Sequence, residues 1–281
     1  MTDYCDLHTH STFSDGTNTP MELIRLAEEA GLTAVALTDH NTVEGLPDFC
    51  KAAAGSSVEA VCGIEISVDH KGHELHMLGL FLKPEHYDPI RSLLADGNRQ
   101  KEKSNRLLAQ ALNRGGYRVD YDALCRGTDG LPNRAHFAKA LTNAGYTASV
   151  QDAFATILHE DAGYYQAPSR PDAGDVVTFL RSLGIAPVLA HPMIDLTDEQ
   201  LEQFLSAVVP RGLLGMETRY PLYDEAMTRS ATEFASRYRL LESGGSDYHG
   251  DTKPDIRIGV GRNNVRIPLQ ILQELKKGVG Q

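Results

Sequence analysis

The stretch Thr33-Ala-Val-Ala-Leu-Thr-Asp-His40 decides how this 281-residue chain is read. Ala34 through Leu37 are apolar without alternation, the pattern of a strand buried on both faces beneath crossover helices. The strand then stops in Asp39-His40, a polar pair at its carboxyl end. Upstream, Thr19-Pro20-Met-Glu-Leu-Ile-Arg-Leu-Ala-Glu-Glu-Ala30-Gly31 carries the signals of a helix. Thr19 can cap it, Pro20 fits its first position, apolar residues recur at helical spacing and Gly31 suits the exit. Before it, Tyr4-Cys-Asp-Leu-His-Thr-His10 is a short strand that also ends in polar residues.

Working outward, further apolar runs cover Glu59–Ile64, Leu75–Leu82, Ile185–Ala190, Leu213–Met216 and Arg239–Leu241, with helical patterns over 172–183, 198–209, 224–238 and 268–277. Alternating strands and helices place the chain in the α/β class, with a parallel sheet. At or beyond the carboxyl ends of these runs stand His8, His10, Asp15, His40, Glu65, His76, His191, Asp247 and His249. A parallel barrel collects such ends on one rim, so ligands far apart in sequence can converge on one polynuclear metal site. That pattern is the mark of a metallohydrolase.

Each member has a local argument. His8 and His10 are two apart on a strand and share a face, with Asp6 on the same face expected to hold a ring nitrogen. Glu65 closes Cys62-Gly-Ile, where a buried carboxylate is costly unless a cation pairs with it. Pro192 stops the strand that carries His191 at its tip. Of the cluster His70, His73 and His76, the first two flank Gly72 in a hairpin turn and are expected in solvent. His76, beside Met77-Leu-Gly-Leu-Phe81, is expected to point inward. His86, His136 and His159 lie outside the pattern.

Composition sets bounds. With 41% hydrophobic and 23% charged residues the chain is ordinary and globular, and a net charge of −11 disfavours a long grip on nucleic-acid phosphates. No apolar stretch approaches a membrane span, and Asp3, Asp6 and His8 leave no room for a signal peptide. Cys5, Cys50, Cys62 and Cys125 form no C-x-x-C pair and are expected to be reduced core thiols of a cytoplasmic protein. No obligate protein partner is evident. The middle of the chain is more charged and helical, with one long helix over Arg91–Arg114 and shorter ones near 121–126, 134–144 and 150–159. Residues 91–164 are therefore expected to form a small helical insertion capping the mouth of a barrel built from 1–90 and 165–281.

Asp6-Leu-His-Thr-His10 with Ser14-Asp15-Gly16, Thr38-Asp39-His40, Gly63-Ile-Glu65, His76, His191-Pro192 and Ser246-Asp247-Tyr-His249 resembles the motif set of PHP (polymerase and histidinol phosphatase) domains in the amidohydrolase superfamily. The resemblance implies a distorted (β/α)7 TIM-like barrel with three divalent ions, Mn²⁺ foremost and Zn²⁺ or Fe as alternatives. It implies one ion held by His8, His10, Glu65 and Asp247, a second by Glu65, His76 and His191, and a third by Asp15, His40 and His249. Glu65, His191 and Asp247 are assigned the catalytic positions among them. Three carboxylates facing three such ions leave a formal charge of about +3, which attracts phosphate and ionises water near neutral pH.

Pro132-Asn133-Arg134-Ala-His136 in the insertion, with Arg170 where the chain re-enters the barrel, offers a second anion clamp. The alternative for Asn133 is a helix cap, and Lys103 and Arg106 on the long helix are expected on a solvated face. This segment resembles the PHP branch of nucleoside 3′,5′-bisphosphate phosphatases and 5′-3′ exoribonucleases. The expected activity is removal of the 3′-phosphate from bisphosphonucleotides such as pAp, and hydrolysis of short RNA from its 5′ end. The alternatives are a histidinol-phosphate phosphatase, or another small-molecule phosphomonoesterase, and a non-catalytic metal-stabilised accessory module.

Overall fold

A computed structural model describes residues 3–262 and 265–280. The framework is an eight-stranded sheet in the order β7-β6-β5-β4-β3-β2-β1-β8, with β1 Tyr4–Asp6, β2 Ala34–Leu37, β3 Glu59–His70, β4 His73–Leu80, β5 Ala186–Leu189, β6 Gly215–Arg219, β7 Leu241–Gly244 and β8 Ile267–Pro268. Beyond the ends of β7 and β1 the chain segments join. Leu7 N donates to Gly244 O at 3.3 Å, Asp247 N to His8 O at 2.9 Å and His10 N to Tyr248 O at 2.9 Å, so the barrel is nearly closed. The closure needs a glycine at 245, where any side chain would collide with the backbone and Cβ of His8.

The sheet is not wholly parallel. β4 runs antiparallel to both β3 and β5. The reason is the connection: Lys71 and Gly72 have φ of 54° and 85°, the paired positive angles of a two-residue hairpin turn that leaves no room for a crossover helix. His76 therefore precedes its apolar run, because β4 descends from the rim that β1 to β3 and β5 to β7 climb towards; β8 is likewise antiparallel to β1. His73 is exposed as expected, but His70 is only half-exposed, its ring edge-on to Phe204 at 5.0 Å.

Helices cover the sheet. α1 (Pro20–Glu29) is capped by a reciprocal Thr19–Glu22 pair, begins with Pro20 and is followed by Gly31 at φ 69°. Around the barrel follow α2 (Leu46–Ala53), α7 (Ala173–Ser182), α8 (Pro192–Asp195), α9 (Asp198–Val208), α10 (Glu225–Tyr238) and α11 (Leu269–Gly278). Side chains of β2 alternate between two cores: Val35 and Leu37 join the larger, Ala34 and Ala36 a smaller one with Leu272 and Leu275 of α11. Cys50 departs from expectation, being exposed with its Sγ 2.7 Å from that of buried Cys62.

The helical insertion holds α3 (Tyr87–Arg114), α4 (Tyr121–Arg126), α5 (Arg134–Asn143) and α6 (Val150–Ala155). It has its own core, in which Leu108 and Leu112 of α3 meet Phe137, Leu141 and Leu158. The other end of α3 inserts Ile90 and Leu94 into the barrel's core. One 28-residue rod, roughly 40 Å long at 1.5 Å per residue, is thus rooted in both. Among the described residues no helix is long and apolar enough to cross a membrane.

Candidate metal centre

Segments from across the chain meet at the rim. His8 and His10 leave β1, His40 follows β2, Glu65 lies within β3, His76 comes down β4, His191 follows β5, and Asp247 and His249 follow β7. Glu65 is the hub. Its Oε2 lies 3.2 Å from His8 Nε2, 3.2 Å from His10 Nε2 and 3.0 Å from His40 Nδ1, while its Oε1 lies 2.9 Å from His76 Nδ1 and 3.2 Å from His191 Nε2. Asp247 Oδ1 faces His8 and His10 Nε2 at 3.6 and 3.3 Å. Asp15 Oδ1 faces His249 Nε2 at 3.3 Å and His40 Nε2 at 3.9 Å. All nine side chains selected from the sequence are brought together. His10 faces two groups, lying with Asp15, His40 and His249 as well as with His8 and Glu65.

Apart from the His191–Glu65 hydrogen bond, most of these atoms face one another without bonding. His8 Nε2, His10 Nε2, Asp15 Oδ1, Glu65 Oε2 and His76 Nδ1 are buried with no hydrogen-bond partner. Orphaned polar atoms of this kind cost a few kcal/mol each unless something completes them. Convergent imidazole nitrogens and carboxylate oxygens fit divalent cations. Burial opposes ionisation of Glu65, but the imidazoles of His40, His76 and His8 outweigh it and hold the carboxyl well below its usual range. Burial likewise disfavours a charged His8, yet Glu65, Glu217 and Asp247 outweigh it and raise its pKa well above the ordinary value. The pocket is thus poised to accept positive charge.

The ligands are aimed by partners, several of them unforeseen. Glu217 in β6 is wholly buried, its Oε1 3.0 Å from His8 Nδ1 and its Oε2 accepting from His191 N at 2.8 Å. It stands at the end of the run Leu213–Met216 as Glu65 stands at the end of Cys62–Ile64, and that position was its available signal. Asp6 does not hold a ring nitrogen. Its carboxylate accepts backbone N–H groups of Ser246 and Gly259 at 2.8 and 2.7 Å, pinning chain segments instead. Tyr220 Oη and Lys253 Nζ each donate to Asp247 Oδ2 at 2.6 Å, which leaves Oδ1 for the centre. Asp39 accepts from Ser11 N, Ser11 Oγ and Ser14 Oγ at 2.7, 2.6 and 2.5 Å and shapes the loop that carries Asp15. His191 and Asp247 adopt φ of 30° and 51°, left-handed conformations that cost about 1–3 kcal/mol each.

A cavity of about 380 Å³ opens from Asp15, His40, His76 and His191 towards the insertion, where Asn133, Arg134, Arg170 and Lys101 line it. Arg170 Nη2 lies 2.6 Å and Arg134 Nη2 3.8 Å from Glu74 Oε2. Although burial opposes it, His76 and both guanidinium groups lower the Glu74 pKa to about 2. Arg134 also stacks over Tyr165 at 4.5 Å. Asn133 caps α5 and, through Nδ2, donates to Asp15 Oδ2 at 2.8 Å. His136 uses its Nδ1 in the α5 cap with Asn133, and its ring is not among the cavity-lining groups. Lys101 has no ion-pair partner among the described residues, whereas Lys103 is exposed and Arg106 pairs with Glu102 at 2.9 Å.

Fold and donor set define a metal-dependent hydrolase whose chemistry lies at the rim of a distorted barrel. Comparison with known proteins goes further: a model of the PHP domain matches residues 6–164, and the chain belongs to that family. A phosphoribosyl 1,2-cyclic phosphate 1,2-diphosphodiesterase of Eggerthella lenta is 32% identical over 87% of this chain and 94% of its own. A 5′-3′ exoribonuclease of Haemophilus influenzae is 28% identical over 89% and 91%. A 3′,5′-nucleoside bisphosphate phosphatase of Chromobacterium violaceum is 28% identical over 87% and 86%. In three dimensions the chain is similar to a solved metal-dependent phosphoesterase of Bifidobacterium adolescentis, with a TM-score of 0.87, 27% identity and coverage of 98% and 96%. The protein is a hydrolase of phosphoric ester bonds.

Proposed function

We propose that this enzyme removes the 3′-phosphate of nucleoside 3′,5′-bisphosphates such as pAp, giving nucleoside 5′-monophosphate and phosphate. One observation carries the choice of substrate: a pair of arginines, steadied by Glu74, lines the same cavity as the nine-ligand centre. Such a cavity suits a small molecule with a phosphate at each end. Three divalent ions, Mn²⁺ first among them, would be held by His8, His10, Glu65 and Asp247, by Glu65, His76 and His191, and by Asp15, His40 and His249. When bound, they supply the positive charge that draws a phosphate and the acidity that makes water a nucleophile near pH 7.

The chain's own residues do the positioning. Arg134 and Arg170 fork onto the 5′-phosphate and present the 3′-ester to the ligand cluster. Glu217, Tyr220, Lys253 and Asn133 hold the ligands in register, and the insertion keeps bulk water from the cavity. The same geometry accepts the 5′ end of a short RNA, whose first scissile bond is also a 3′-ester. The setting is proposed to be cytoplasmic.

The test is release of phosphate and AMP from pAp by the Mn²⁺-loaded protein; no release removes the assignment. Arg170→Ala should raise KM for pAp about 10- to 100-fold, the worth of a charge-assisted contact, and leave turnover of a simple monophosphate unchanged. Equal effects on both would favour a general phosphomonoesterase. The Eggerthella lenta relative supports a second reading as a phosphodiesterase. Faster hydrolysis of a cyclic phosphodiester than of pAp would move the assignment there.

A further inference from the structure

The charged walls of the cavity account for the two phosphates of the proposed substrate and leave its flat, neutral part without a seat. Phe154 and Tyr165 also line the cavity, but Arg134 lies over both rings, 5.8 and 4.5 Å from their centroids, and α3 supplies a neutral face clear of that guanidinium. On α3, Leu93, Leu94, Gly97 and Asn98 line the cavity, and Lys101 continues the same stripe one turn further on. These positions follow the i, i+4, i+8 repeat that puts residues on a single helix face.

Gly97 is the anomaly in that stripe. It lies inside a 28-residue helix, where glycine costs about 1 kcal/mol relative to alanine. Its φ does not require glycine, being absent from the positive-φ residues. Nor does crowding, since a Cβ placed there would have no atom within 4 Å. The missing side chain leaves open a flat patch of peptide backbone facing the cavity. The patch is also held still: Asn98 Nδ2 donates to Asn41 O at 3.4 Å, tying this turn of α3 to the barrel rim.

We infer that the nucleobase of the substrate lies against the Leu93–Gly97 face of α3, with Gly97 absent of side chain to admit the ring. The inference rests on the bisphosphonucleotide reading above and adds where the base binds. A planar ring packed on this patch removes its own apolar face and that of Leu93 from water, and this burial is the source of its affinity.

The experiment uses the full chain loaded with Mn²⁺, the variants Gly97→Ala and Gly97→Leu, and two substrates: pAp and its base-free counterpart, a tetrahydrofuran 3,5-bisphosphate. Gly97→Leu should raise KM for pAp at least tenfold and leave KM for the base-free substrate within twofold. AMP binding followed by calorimetry should weaken in parallel, with ribose 5-phosphate binding unchanged. Gly97→Ala should raise Tm, because alanine favours the helix, while still weakening AMP, an opposition that a purely structural glycine would not produce. If Gly97→Leu shifts both substrates equally, or neither, the base lies elsewhere although the phosphatase assignment stands. If the wild-type protein releases phosphate from neither bisphosphate, the assignment itself fails and this subsite falls with it.

Discussion

At the scale of single residues, the centre depends on groups that touch no substrate. Glu217 fixes His8 through Nδ1 and His191 through its backbone N–H, so one carboxylate orients two neighbouring candidate ligands whose rings stack 5.9 Å apart. Glu217→Gln should fold normally yet lose about 10- to 100-fold in Mn²⁺ affinity, read by metal titration. Unchanged affinity would show that the imidazoles are aimed by packing alone. Most of the candidate ligands were legible in the sequence because they interrupt or follow an apolar run with a group that cannot be buried unpaired; Asp15, in a polar loop, had only its nearness to His8 and His10. Their partners were less so. Glu74, Asn133 and Lys253 are ordinary surface residue types in ordinary surface contexts, and only the fold shows what they face.

At the scale of elements, α5 links the insertion to the centre. Its N-cap residue, Asn133, uses one side-chain atom for the helix and another for Asp15. The two jobs separate by substitution. Asn133→Asp keeps a good cap but sets a carboxylate against Asp15, so Tm should stay within about a degree while metal affinity falls. Asn133→Ala should lose both, including about 1 kcal/mol of helix stability. Wild-type metal affinity in both variants would refute the link. Helix α1 was legible to its caps because Thr19, Pro20 and Gly31 are local signals. Apolar runs look alike in parallel and antiparallel strands, so the direction of β4 was legible only through the hairpin turn at Gly72, which is too short for a crossover.

At the scale of the whole molecule, the barrel holds a set of buried, unpaired donors that metal ions would complete. Chelation should therefore destabilise the protein as well as inactivate it. At a thousandfold excess over Kd, one ion is worth about 4 kcal/mol, or a fall of about 10 °C in Tm when removed. A Tm indifferent to EDTA would contradict the metal centre. The barrel and insertion have separate cores, yet α3 contributes to both: Ile90 and Leu94 to one, Leu108 and Leu112 to the other. Leu112→Ala, about 2–5 kcal/mol in the smaller core, should accordingly be felt by barrel probes as well as by the insertion.

A shared rod also sets how the molecule comes apart. Two globules joined by loops would melt as two calorimetric peaks, each with its own enthalpy. Here neither half can unravel without dragging the other's helix out of register, so a single endotherm is expected, with van't Hoff and calorimetric enthalpies equal. Such cooperativity would carry a change in the cap directly to the rim, by rigid mechanics alone.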